Sequence, residues 1–341
     1  MSRIDLTKAE RIDALTRLGY TPREAAFLVR TALQGGFFLR RQFCQFIQKE
    51  VGGTAAALIQ RVVALGHATA LEGCRNTQVY HLNSRPFYAA IGEEDNRNRR
   101  LRPPTVIKSK LMSLDFALDF PDRNFLATES EKVLFFTGQL GIPTEDLPAK
   151  EFRSPTATEV TTRCFVDKYP LSVNDGVVQF SFVDEGVAGV ERFASHLNQY
   201  MRLWTRLPRF ELVYVADSKR LFHSAQRLFE RFCKTGSARE QPVDVERLLH
   251  HFADRRAYAE GALHSFDRSR LLQMRDDRQL FSGRAFEVLF DAWKNGGEDA
   301  IRTAFARQQN TPARLSGCFQ THLLEHSYDV FGTTSRSYAK H

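Results

Sequence analysis

The sequence predicts a chain of mixed α+β class, on three observations. Up to Leu65, apolar side chains recur at helical spacing between glycine stops; turn-rich stretches then join short extended runs; and from about Gln241 helical periodicity returns. The 341 residues are 43% hydrophobic and 26% charged, enough to build a core and too apolar for wholesale disorder. The longest apolar runs, such as Phe210 to Ala216, fall well short of the roughly 20 residues that a membrane helix needs. Charges occupy the opening MSRIDLTKAERID where an export signal would carry its apolar stretch. Five dispersed cysteines, Cys44, Cys74, Cys164, Cys233 and Cys318, suit a reducing cytoplasm better than a disulfide framework or a zinc ribbon. The expected location is cytoplasmic.

Leu6 to Leu18 forms the first helix, with Leu6, Ile12, Leu15 and Leu18 inward and Gly19 as its stop. Thr21 caps the next one, Pro22 suits its first turn, Glu24 meets the positive end of its dipole, and Gly35-Gly36 ends it. A helix near Leu39 to Lys49 follows. The turn Gly52-Gly53-Thr54 opens another that runs to Leu65 and closes at Gly66. Ala68 to Leu71 and Gln78 to Leu82 then read as two strands of a hairpin. This order is that of a winged helix-turn-helix, expected over residues 1–95. On the helix after Thr54, Leu58, Val62 and Leu65 would pack inward, whereas Ala57, Gln60, Arg61 and Ala64 would share the outer face. Small residues around a Gln and an Arg suit entry into a DNA major groove.

The charge distribution supports that use. Residues 1–110 hold 18 Lys+Arg against 9 Asp+Glu, and the remaining 231 hold 30 against 31, so the net +8 arises in the first third. Asn96 to Lys110 carries Arg97, Arg99, Arg100, Arg102, Lys108 and Lys110 with no acid, and Pro103-Pro104 interrupts it. We expect residues 96–110 to form an extended basic strap that holds phosphates. Thr54, Gln60 and Arg61 on the outward helix, Arg75 and Asn76 at the wing tip, and Arg40 and Arg41 at the start of the second winged-helix helix complete the expected DNA-binding set. Tyr80, Phe87 and Tyr88 beside the strap are candidates for stacking on bases.

Residues 111–240 read as a small α/β layer. A helix from Val106 to Ala117 leads in, and Glu129 to Leu140 forms another, on which Glu129, Glu131 and Lys132 read as a solvent face. Strand patterns at Arg163 to Leu171 and Val177 to Val183 flank Asn174-Asp175-Gly176, a hairpin turn signal. An amphipathic helix from Val190 to Arg206, a buried strand from Phe210 to Ala216 and a helix from Lys219 to Cys233 complete the layer. Residues 241–341 read as helices, Val245 to Ala259, Ala285 to Trp293 and Glu298 to Ala306, ending in a loose polar tail.

With GYTPREAAFLVRTALQGGFFLRRQF (19–43), FVDKYPLSVNDGVVQFSFVDEG (165–186), RFASHLNQYMRLW (192–204) and FELVYVADS (210–218), the layout resembles a family of mobile-element proteins known as replication-relaxation proteins. These join an N-terminal winged helix to a region resembling the restriction-endonuclease-like PD-(D/E)XK fold. The resemblance implies a double-stranded DNA-binding protein in the replication, maintenance or regulation of a plasmid or integrative element. Nuclease sites of that fold hold Mg²⁺ on carboxylates and use a lysine to steady the attacking water. Here Leu171 follows Pro170, and Phe182 stands at the expected second acidic position. Asp184 and Glu185, with Asp167 nearby on the first strand, could converge on a metal, but they read as solvated groups at strand ends and a hairpin mouth. We therefore expect a nuclease-like scaffold without catalysis and without a cofactor, supplying a surface between two copies of the chain or holding DNA uncut. The alternatives are a Mg²⁺-dependent nuclease with its site migrated to those three acids, and a protein-interaction adaptor. No phosphate-binding glycine loop, G-x-S-x-G or H-E-x-x-H motif occurs, and the adjacent His250 and His251 would point apart on a helix.

Overall fold

Two reciprocal caps set the opening helices in the computed structural model, which describes residues 6–50, 52–72, 78–153, 160–236, 244–262, 266–281, 284–309 and 315–328. Thr7 and Glu10 exchange side-chain and backbone hydrogen bonds at the start of α1 (Lys8–Arg17), and Thr21 and Glu24 do the same for α2 (Pro22–Gln34). Then follow β1 (Phe37–Leu39), α3 (Arg40–Phe46), α4 (Gly53–Ala64), β2 (Ala68–Glu72), β3 (Gln78–Leu82) and α5 (Arg85–Ala90). The three strands form an antiparallel sheet in the order β1-β3-β2, with Tyr80 of β3 opposite Phe38 on one side and Ala70 on the other. Phe27, Phe38, Phe43, Leu58, Val62, Phe87 and Tyr88 form the core between sheet and helices. Tyr80, Phe87 and Tyr88 are at most 5% exposed, so the expected stacking candidates are core side chains. Leu65 departs in the opposite direction, being 47% exposed just past the end of α4.

The expected strap is docked rather than free. Residues 97–99 form one short 3-10 turn, and Asn98 is 4% exposed. Its amide donates to the Ala32 carbonyl (2.8 Å), and its own carbonyl lies 2.8 Å from His81 Nε2. Gly36, at φ +82°, is required beneath it: a Cβ there would come within 2.8 Å of the Asn98 carbonyl. From Pro104 the chain is helical. Lys108 and Lys110 therefore lie on α6 (Pro104–Asp119), which is buried along most of its length. One side of α6 packs on α2, α3 and β1, and the other packs on the central sheet described next.

That sheet has the order β6-β7-β8-β9: β6 (Leu171–Asn174), β7 (Val177–Asp184), β8 (Phe210–Ala216) and β9 (Gly317–Leu323). β6 and β7 pair antiparallel across a two-residue turn, Asp175-Gly176, with both residues at positive φ as a tight hairpin requires. β8 and β9 add in parallel, connected through α8 (Glu191–Arg206) and α9 (Phe222–Thr235). Phe180, Phe182, Phe210 and Tyr214 face α8, where Trp204 stacks on Phe210 at 4.7 Å and Phe193 meets Tyr214 edge-on. β9 corrects the expectation of a wholly helical C-terminal region. It is an edge strand with alternate residues exposed, and Gly317 at its start is fixed because a Cβ there would meet Phe210 and Phe229 at 2.6 and 2.7 Å.

Before the sheet come α7 (Glu129–Leu134) and an antiparallel pair, β4 (Ala149–Arg153) and β5 (Val160–Cys164). The expected strand from Arg163 to Leu171 is broken, because residues 165–170 form a loop with Phe165 and Lys168 at φ 49° and 54°. Pro170 lacks an N–H for a ladder, and β6 starts only after it. Residues up to 233 together with those from 315 on make one compact unit, and residues 234–314 make a second. The second unit consists of α10 (Val245–Ala259), α11 (Arg268–Leu280) and α12 (Arg284–Gln309) around Leu248, Phe252, Phe281, Phe290 and Ile301. Gly297, at φ +67°, bends α12 where the sequence divides it into two helical stretches. Among the described residues no helix is long and apolar enough to cross a membrane.

Candidate nucleic-acid interface

Leu58 and Val62 anchor α4 in the core, which turns Thr54, Ala57, Gln60 and Ala64 to solvent. Gln60 thus stands between two alanines on an open helical surface, with Val63 exposed beside it. Gly52 and Gly53 open the helix with no side-chain cap, and Arg40, itself exposed, donates to the Gly52 carbonyl at 3.0 Å. Arg61 turns away from this face. It is half-buried and ion-paired to Glu24 of α2, whose carboxylate is 7% exposed. Arg75 and Asn76 lie outside the described residues.

Arg41 also points inward. Its guanidinium grips Asp115 of α6 with two contacts, 2.9 and 2.8 Å, and donates to the Tyr328 hydroxyl as well. Lys108 is 4% exposed and ion-paired to Asp217 at 2.9 Å. Of the strap's cations only Arg100 is exposed. Arg97 lies over the Phe152 ring at 5.2 Å, Arg102 donates to the Arg97 carbonyl at 3.3 Å, and Arg99 is half-buried. The structure therefore leaves Thr54, Gln60, Arg40 and Arg100 facing outward, and it takes Arg41, Arg61 and Lys108 into internal ion pairs. Sequence reasoning had the cations but not their partners, since Glu24, Asp115 and Asp217 lie 37, 74 and 109 positions away from the residues that they neutralise.

The three acids considered for a metal do not meet. Asp184 is buried at the end of β7, accepting from Gly186 N–H at 2.9 Å and from the Tyr214 hydroxyl at 2.7 Å. Asp167 sits in the 165–170 loop, 3.4 Å from Lys150. Glu185 is 4% exposed and ion-paired to Arg192, which also donates to the Tyr169 hydroxyl at 2.7 Å. Among the described residues no group of three or more His, Cys, Asp and Glu side chains could hold a metal ion.

Asp167 and Glu185 instead line a cavity of about 360 Å³ under the strap, walled by residues of the strap, α6, α7 and the 165–170 loop. Lys110, Lys132 and Lys168 converge there from α6, α7 and the loop. Lys132 is 4% exposed, which overturns the solvent face expected for it. Burial, followed by repulsion among the three ammoniums, pushes Lys110 and Lys132 down to about 7; burial pushes Lys168 down to about 8. No family model, curated protein or solved structure matches this chain.

Proposed function

We propose that residues 1–95 form a winged helix that binds double-stranded DNA, with α4 in the major groove and the β2–β3 hairpin as its wing. The observation that carries this reading is the outer face of α4: Thr54, Ala57, Gln60 and Ala64 all exposed, on a helix reached through the order α2, β1, α3, α4, β2, β3. Gln60 would read a base edge, an adenine by preference, and Arg40 and Arg100 would hold phosphates on either side. The central layer has the hairpin, helix, strand order that the residue patterns predict, and the resemblance to nuclease-like mobile-element proteins supplies the rest of the reading. We take it as a non-catalytic scaffold in the replication, maintenance or regulation of such an element.

Fluorescence anisotropy on a labelled duplex across a salt series tests this. Submicromolar binding that weakens with salt and depends on Gln60 supports it. Absence of binding at low salt would overturn it in favour of a protein-interaction role, and a duplex cut in Mg²⁺ would replace the scaffold with a nuclease.

A further inference from the structure

We propose that the cavity under the strap binds the phosphate monoester group of a small organic ligand, held by Lys110, Lys132 and Lys168. This stands independently of what α4 binds.

The argument begins with where the charges go. Lys132 Nζ donates to the Tyr169 carbonyl at 2.8 Å, and Lys110 Nζ to the Asp167 carbonyl at 3.3 Å. Lys168 Nζ donates to the side-chain carbonyls of Asn96 and Asn98 at 3.1 and 3.2 Å. All of these acceptors are uncharged, and among the described residues none of the three lysines has an ion-pair partner. Four of the five carboxylates of the wall are occupied by other cations, and the fifth, Asp95, is exposed. Glu129 pairs with Arg163, Asp167 with Lys150, Glu185 with Arg192, and Glu93 with Arg11. The protein thus neutralises these four acids with cations other than the three lysines and leaves three ammoniums facing one another in the cavity.

Three cations gathered from separate elements repel one another, and buried charge is tolerated where a counter-charge meets it. An anion placed between them would relieve that repulsion and accept a charge-assisted hydrogen bond from each. Two negative charges on three ammoniums match a phosphate monoester better than a singly charged diester or carboxylate. The loop that carries Lys168 and presents the Asp167 and Tyr169 carbonyls holds Phe165 and Lys168 in the left-handed region. Such conformations are unfavourable for side-chain-bearing residues and cluster at ligand sites, where the surroundings enforce them. The volume exceeds what a phosphate alone fills, leaving room for an organic body.

The test is thermal unfolding of the full chain in inorganic phosphate, in a nucleoside 5′-monophosphate and in chloride at matched ionic strength, followed by calorimetric titration. Phosphate and the monophosphate should both raise Tm. Lys132→Met and Lys168→Met should each weaken binding about tenfold to a hundredfold, the loss expected for a hydrogen bond to a charged group. Lys49→Met, an exposed lysine outside the cavity, should leave it unchanged. A 5′-phosphorylated single strand, compared with its 5′-hydroxyl twin, distinguishes a strand end from a free metabolite as the source of the monoester, and preference for the phosphorylated strand supports the same chemistry. The proposal fails if no phosphate species shifts Tm, or if folded Lys132→Met and Lys168→Met proteins both keep wild-type affinity.

Discussion

Arg41 closes a two-pronged contact on Asp115, 2.9 and 2.8 Å, and so joins α3 to α6. Asp115 is 3% exposed and accepts two further hydrogen bonds, from Gln42 Nε2 at 2.6 Å and from the Tyr328 hydroxyl at 2.6 Å. A basic side chain that reads in the sequence as a phosphate contact is therefore part of the seam between the N-terminal module and the central sheet. Removing one partner of a pair this buried leaves the other charge uncompensated, at a cost of about 3 kcal/mol. Arg41→Ala should lower the urea midpoint accordingly, while the salt dependence of DNA binding by the folded fraction stays as in the wild type.

The opposite pattern is expected at Arg100, which is exposed. With Arg41, Arg61 and Lys108 in internal pairs, Arg40 and Arg100 remain as the exposed cations of the proposed DNA-contacting set, and two phosphate contacts should give a log–log salt slope of about −2. Arg100→Glu should flatten that slope by about 1 without moving the urea midpoint. Gln60→Ala should leave the slope alone and erase about 1 to 3 kcal/mol of discrimination between cognate and mismatched duplexes. A competition titration at fixed salt measures the second effect separately from the first.

Local signals in the sequence located most elements, because caps and turns act over a few residues. Thr21-Pro22 with Glu24, and Asn174-Asp175-Gly176, each carry their own geometry, and the structure has α2 and the β6–β7 turn at those places. β1 and β9 were not legible. β1 is three residues long, and β9 is an edge strand in which exposed Gln320 interrupts the apolar pattern, so neither gives a periodicity to read. The cavity was invisible for a different reason. Lys110, Lys132 and Lys168 are separated by 22 and 36 positions, and only the packing of α6 and α7 against the loop brings them together. Lys132, beside two glutamates on a short helix, has the local pattern of a solvent face and the tertiary position of a core residue.

His196 on α8 gives a pH dependence on the acid side. Its ring is 4% exposed among Tyr169, Phe182, Tyr200 and Trp204, and neither ring nitrogen has a hydrogen-bond partner among the described residues. Burial pushes it down to about 4, with the nearby Asp167 opposing and Arg192 and Lys150 adding to the shift. Between the ordinary histidine value of 6.5 and about 4 the unfolded chain binds the proton that the folded chain refuses, so stability falls as pH falls through that range. His196→Leu should flatten the fall between those pH values, as read from urea midpoints at pH 7, 6, 5 and 4.5, and raise stability at the lowest of them.

The lysine cluster acts on the alkaline side, with its own sign. An unfolded lysine keeps its proton up to 10.5, whereas the folded chain releases those of Lys110 and Lys132 near 7 and that of Lys168 near 8. Across that window the unfolded state binds more protons, so stability rises with pH instead of reaching its plateau at neutrality. The groups that face these ammoniums set the size of the effect. Asp167, Glu129, Glu131 and Glu93 oppose the shifts, while Arg97 and Arg102 and the lysines themselves enlarge them. Lys132→Met removes one of the three titrations and one repulsive partner of Lys110, at the cost of the donor to the Tyr169 carbonyl. The expected result in chloride buffers is a shallower rise of the urea midpoint from pH 7 to pH 9.5 in Lys132→Met than in the wild type. An identical rise in the two proteins would mean that Lys132 titrates at its ordinary value and is not held among like charges.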